Sequence, residues 1–282
     1  MNADKLKAFI SKKSLGDNES SQRLFQMFYF ERILERISLS SYKGQIILKG
    51  GLLLSSIIGI DERTTRDMDA TLKGIPVSEK KILEIFNEIL SVQLDDGVRF
   101  EIDNIKEIRQ DNDYDGFKLN ILATLDNNRT YVAIDLTVGD AITPREMKYS
   151  YNSIFDEKKI SIMAYTLETV LAEKFETVIR RGVLNTRMKD FGDIHSLVDG
   201  SHKINQENLI LAIKNTFAKR ETKFDIDEFK LIVSELKETP EMNKMWKEFQ
   251  NKVNYIKKTE YLDTIKAIDK IIEILETELV TV

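Results

Sequence analysis

Three aspartates in this chain sit where chemistry needs them and ordinary folding does not. Asp67 and Asp69 lie one residue apart in "DMDATL", and Asp135 lies inside "YVAIDLTV". Both segments read as strands, and strand side chains alternate between faces. Asp67, Asp69 and Thr71 then share one face, while Met68, Ala70 and Leu72 share the other. On the later segment Tyr131, Ala133, Asp135 and Thr137 oppose Val132, Ile134, Leu136 and Val138. Stacked carboxylates repel unless a cation neutralises them, and an unpaired acid within an apolar strand is expensive. A hard divalent ion such as Mg²⁺, or Mn²⁺, is held by one or two carboxylates, waters and substrate phosphates. The competing reading of a bare D-x-D is the polar face of an edge strand.

The surroundings favour the chemical reading. "QIILKGG" is a short apolar strand that ends in Gly50-Gly51, a pair able to turn tightly and let backbone amides approach a phosphate. Leu52 to Ile58 then reads as a short helix, followed by the D-x-D strand. Upstream, Leu24, Phe25, Phe28, Ile33, Leu34 and Ile37 recur at helical spacing, and Val77 to Leu90 is amphipathic with the same period. "VRFEIDNIKEIR", "GFKLNILATL" and "YVAIDLTV" read as three strands, the last two joined by a turn at Asp126-Asn127-Asn128. After Gly139 the pattern changes. The stretch "PREMKYSYNSIFDEKKI" reads as irregular, and residues 166–281 are helical almost throughout. The expected fold class is therefore α/β (α+β), with a mixed sheet and helices over residues 1–150 and a helical domain over 151–282.

A second group of chemical residues lies in the helical part. In "TLETVLAEKFETVIRRG", Leu167, Val170, Leu171, Phe175 and Val178 form an apolar stripe that also contains Lys174. Such a lysine can bury its stem and snorkel its amine outwards. In "RMKDFGDI", Arg187 and Asp190 are near neighbours on one helical face, with Asp193 further round; a surface ion pair at that spacing would be weak. His195 and His202 form no ligand pair, and Trp246 keeps helical spacing with Met242, Phe249 and Val253, as a core residue would.

Bulk properties set the outer limits. The chain has 282 residues, 42% hydrophobic, with 42 basic and 47 acidic residues for a formal charge of −5. A uniformly basic coat for nucleic acid is excluded, although a local patch is not. No cysteine is present, which removes disulfides, thiolate catalysis and cysteine-bound zinc. Neither a signal-peptide core nor an apolar run of about 18 residues is found, so a cytoplasmic protein with no membrane partner is expected.

The order of strand, Gly-Gly turn, helix, D-x-D strand and later single-Asp strand resembles the nucleotidyltransferase superfamily built on the DNA polymerase β-type palm. Fifteen residues separate Gly51 from Asp67, somewhat more than is usual there. "LKGGLLL", "RTTRDMD", "QRLFQMFYFERILERIS", "LAEKFETVIRRG" and "RMKDFGDI" together resemble the AbiEii toxin family, nucleotidyltransferase toxins of abortive-infection and toxin–antitoxin systems. That resemblance implies a metal-dependent transferase moving a nucleotide from a nucleoside triphosphate to RNA, at the 3′ end of tRNA. It also implies a palm-like N-terminal domain, a helical domain that completes the active site, and a separately encoded antitoxin that need not touch the toxin. By the same resemblance Asp67, Asp69 and Asp135 are metal ligands, with Asp135 alternatively the base. A functional lysine–aspartate pair falls on Lys174 and Asp190, with Asp193 as the other choice of acid. Gly50, Gly51, Arg66, Lys174 and Arg187 would serve the nucleotide. A transferase acting on a small molecule or protein side chain would share this core, and a non-catalytic nucleotide-binding module would not need all of these acids.

Overall fold

The computed structural model describes residues 2–59, 65–76, 78–110 and 114–280, with backbone alone at 109–110, 114–115 and 278–280. Arg63 and Thr64 of the "RTTRDMD" motif, and Val77, lie outside them. Two compact units emerge. Met1–Ile57, Thr64–Gly139 and Met147–Ala164 make the first; Ile58–Arg63, Asp140–Glu146 and Tyr165–Val282 make the second.

The first unit is built on a seven-stranded sheet. Its strands are β1 (Ile46–Lys49), β2 (Asp67–Leu72), β3 (Arg99–Gln110), β4 (Tyr114–Leu125), β5 (Asn128–Val138), β6 (Met147–Asn152) and β7 (Lys159–Ala164). They lie in the order β3-β4-β5-β2-β1-β7-β6, with β2 parallel to β5 and antiparallel to β1. β2 is thus an interior strand, and the edge-strand reading of its two aspartates is overturned. The apolar halves of the expected alternations, Met68, Ala70 and Leu72 with Val132, Ile134 and Leu136, are all buried.

Helices α1 (Ala3–Ser14), α2 (Asn18–Leu39), α3 (Gly50–Ile58) and α4 (Glu79–Leu90) accompany the sheet; α2 packs on β5 and β7, α4 on β3 and α1 on α2. Asp17 caps α2 by accepting the Ser20 amide at 2.7 Å. Phe28, Tyr29, Phe30, Ile33, Leu34 and Ile37 bring α2 fully into the core, each such side chain worth roughly 1.5–3 kcal/mol of burial. Arg36, also buried, makes a two-pronged bond to Asp96 at 2.7 and 3.1 Å and fixes α2 against the turn before β3. Ile82, Ile85, Phe86 and Ile89 form the buried stripe of α4 at the expected period.

The expectation of an irregular stretch at residues 145–160 is corrected by β6 and β7, which form an antiparallel hairpin on the edge of the sheet. The reason lies far upstream. Its connection carries no Asn-Gly signal and is held by α2: Glu31 accepts the Ile154 amide at 2.9 Å and the Ser153 hydroxyl, while Arg32 meets Asp156 at 3.1 Å. Glu31 and Arg32 are both fully buried.

The second unit is helical among the described residues. It comprises α5 (Leu167–Arg181), a 3₁₀ turn (Gly182–Leu184), α6 (Met188–Val198), α7 (Gln206–Lys219), α8 (Ile226–Glu238), α9 (Pro240–Gln250) and α10 (Tyr261–Val280). Thr166 caps α5, and Phe175 makes edge-to-face contact with Phe229 of α8. Trp246 is fully buried, its Nε1 donating to the Thr259 carbonyl at 3.0 Å, as expected of a core residue.

Candidate active site

The sheet face away from α2 gathers the first set of residues. Along the parallel β2–β5 pair, Asp67 stands opposite Ala133, Asp69 opposite Asp135, and Thr71 opposite Thr137, whose hydroxyls lie 3.2 Å apart. Neighbouring strands run roughly 4.8 Å apart, so two carboxylates face each other across one strand spacing and the third sits two residues along. β1 meets β2 on its other side, with Lys49 in register with Asp69.

At the end of β1 the chain turns directly into α3. Gly50 carries the turn, with φ of 60°, and a Cβ there would lie 2.1 Å from Asp69 Oδ2. Only glycine accommodates both the left-handed backbone and that approach. Gly51, the next residue, donates its amide to Asp69 Oδ2 at 3.0 Å. The two glycines therefore act differently, since Gly50 makes room and Gly51 supplies an amide.

Lys118 on β4, which no motif signalled, joins this face. It is in register with Asp135, and its Nζ lies 2.8 Å from Asp135 Oδ1 and 3.9 Å from Asp67 Oδ2. A signal for it was available. The β4–β5 hairpin closes on Leu125 and Asn128, and seven residues back along each strand Lys118 meets Asp135. Burial pushes the Asp135 carboxyl above its ordinary value and the charges of Asp69 and Asp67 add to that, against the opposing pull of Lys118. For Lys118, burial alone would lower the ammonium, but the bond to Asp135 and the surrounding carboxylates outweigh it and the net shift is upwards.

Three carboxylates share this face with two lysines, Lys118 and the buried Lys49 in register with Asp69, which leaves one negative charge in excess. As arranged, the described residues include no group of three or more Asp, Glu, His or Cys side chains set to hold a metal ion. Lys118 stands between Asp67 and Asp135, and Asp69 is turned to the Gly51 amide. The donor set nevertheless suits a hard cation: all-oxygen, rigidly mounted on interior strands, on one face and in charge excess.

Arg66 is placed differently. Its side chain is 74% exposed and pairs with Glu19 of α2 at 2.8 Å.

The second set assembles within the helical unit. Lys174 Nζ on α5 lies 2.6 Å from Asp190 Oδ1 and 2.7 Å from Asp193 Oδ2, both on α6. The two acids are spaced i,i+3, so one ammonium reaches both. Asp190 and Asp193 are buried, and Lys174 is nearly so. Arg187, half-exposed, places Nε 3.0 Å from Asp190 Oδ2. Burial would raise the Asp190 carboxyl, but the charges of Lys174 and Arg187 overcome it and hold the group below its ordinary value. Tyr255, also without a motif to mark it, donates to Asp193 Oδ1 at 3.2 Å. Two positive and two negative charges thus balance around Lys174.

Comparison with known proteins adds the following. The family described as "Nucleotidyl transferase AbiEii toxin, Type IV TA system" matches residues 32–273. No curated protein matches the chain. Among solved structures, one from H. pylori assigned as a nucleotidyltransferase superposes with a TM-score of 0.54 at 11% identity, over 92% of this chain and 97% of that one. JHP933 from Helicobacter pylori superposes with a TM-score of 0.53 at 12% identity, over 92% and 96%. Identities this low establish a shared fold.

Proposed function

Because the chain belongs to the AbiEii family of nucleotidyl transferase toxins from type IV toxin–antitoxin systems, we propose that it transfers a nucleotide to RNA, at the 3′ end of tRNA, with Mg²⁺ or Mn²⁺. The observation that carries this reading is Asp67, Asp69 and Asp135 on one face of interior strands, beside a Gly50-Gly51 turn shaped around Asp69.

Asp67, Asp69 and Asp135 would hold the metal. When bound, such ions neutralise the triphosphate and stabilise the entering and leaving oxygens of an in-line displacement. The chain contributes position and field. β2 and β5 fix the three acids through ladder hydrogen bonds on both sides, so their geometry does not depend on a loop. Asp135 has two roles open to it, third ligand or base for the attacking hydroxyl. At the start of α3, Gly50 leaves room for the Asp69 carboxylate and Gly51 holds it with its amide, so the two glycines set the position of one of the proposed metal ligands. Arg187 is the better placed of the two proposed phosphate cations in the helical unit, because it is half-exposed while Lys174 is held by two carboxylates.

The family implies a cognate antitoxin; we place it as a separate protein whose action needs no direct contact with the toxin. Among the described residues no helix is long and apolar enough to cross a membrane. The test is incubation with each α-labelled nucleoside triphosphate, Mg²⁺ and total cell RNA. Label in the tRNA band supports the reading, whereas label only on protein or a small molecule would reassign the acceptor.

A further inference from the structure

Lys118 is not among the residues that the metal-site reading requires, yet it sits in the middle of them. Its ammonium lies between Asp135 Oδ1 at 2.8 Å and Asp67 Oδ2 at 3.9 Å, on a strand whose register places it directly opposite Asp135. We propose that Lys118 is the resident counter-ion between Asp67 and Asp135, occupying the place there that a divalent cation takes, and that the cation binds by displacing it.

This rests on the proposed metal-binding role of the three aspartates and adds a competitor to it. Three carboxylates fixed on adjacent strands cannot relax away from one another, since the ladder holds their backbones. In the absence of a cation their repulsion would fall on β2 and β5, the interior of the sheet. An ammonium on a neighbouring strand removes part of that cost. Lysine is well suited to this, because a compact charge on a flexible four-carbon stem can leave without moving backbone. Its side chain is 31% exposed, so water is already within reach of the displaced amine. Both neighbours of Lys118 on β4, Phe117 and Leu119, are buried on the opposite face and keep the strand in place when the amine moves. The device sets a threshold, because a cation must offer more to the carboxylates than Lys118 does, and a divalent ion carries twice its charge. Lys118 is accordingly a positioning residue that tunes metal affinity.

The experiment is a Mn²⁺ titration of the purified full chain at fixed ionic strength, followed by the electron paramagnetic resonance of free Mn²⁺, with metal-free melting recorded in parallel. Lys118→Met should tighten Mn²⁺ binding by roughly threefold or more, as expected for removal of a partly exposed competing charge, and should lower the metal-free melting temperature. Lys118→Gln is a second neutral variant should Met disturb folding, and should tighten binding likewise. Lys118→Arg keeps the charge and should not tighten it. Unchanged or weaker Mn²⁺ binding in both neutral variants, with wild-type binding that is lost in Asp135→Asn, would overturn the counter-ion role and leave the metal site standing. Absence of saturable Mn²⁺ binding in the wild-type chain would overturn both.

Discussion

At the scale of single residues, the aspartates and Lys174 stand out in the sequence for the same reason, a charge in an apolar pattern, but have opposite electrostatic surroundings. Asp67, Asp69 and Asp135 form a face with negative charge to spare, whereas Lys174 sits in a balanced group with Asp190, Asp193 and Arg187. Helical spacing showed that Lys174 belonged to an apolar stripe but could not show what its amine met. That depended on the packing of α6 against α5. For the same reason spacing could not show that Asp190 and Asp193 both contact the amine. A snorkelling lysine could be replaced by methionine at little cost, but this one cannot. Lys174→Met should destabilise the protein by on the order of 3 kcal/mol, because it leaves two buried carboxylates with one cation between them. Urea denaturation measures this, and Asp193→Asn in the same background should recover part of the loss. A change below about 0.5 kcal/mol would show that the group is not held by charge. Lys174→Arg should retain most of the stability, so any loss of nucleotide affinity in that variant reports on phosphate recognition and not on folding.

At the scale of elements, the strands with strict alternation were legible, and so was the hairpin turn between β4 and β5. Alternation also assigned the faces of β2 and β5 correctly, because a strand covered on one side by helices must alternate. The β6–β7 hairpin was not legible, since its turn is fixed by Glu31 and Arg32 of α2, more than a hundred residues away. Local pattern cannot report a side chain from another element. The same contact makes a pH prediction. Burial pushes Glu31 up to about 7, against the bonds from Ser153 and Ile154 and the charge of Arg32. A carboxyl raised in the folded state binds its proton more tightly there than in the unfolded chain. Its contribution is therefore full at pH values below the unfolded pKa, and is lost as pH rises towards about 7. Thermal unfolding should show stability falling between about pH 5 and pH 8, by up to roughly 3 kcal/mol from this group. Glu31→Gln should flatten that dependence. An unchanged slope in the variant would place the titration elsewhere.

At the scale of the whole molecule, the family match from residue 32 to residue 273 takes in most of both units, so the helical unit is as much a part of the family pattern as the sheet. Net charge and composition excluded cysteine chemistry and a basic coat but carried little information about the acceptor, because formal charge says nothing of where a nucleic acid would lie. The class of reaction was legible because a glycine turn, paired acids on a strand and a third acid on a later strand resemble the order found in one superfamily of nucleotidyltransferases. The acceptor was not, since its recognition needs no such order. The proposed function depends on the acidic face performing the transfer. That is tested by comparing wild type with Asp67→Ala and Asp69→Ala, each confirmed folded by circular dichroism, for incorporation of α-labelled nucleotide into RNA with and without EDTA. Incorporation by the wild type should be abolished by EDTA and should fall by at least about a hundredfold in either variant, as expected when a group essential to positioning and charge stabilisation is removed. Incorporation that persists at the wild-type rate in either variant would contradict the assignment.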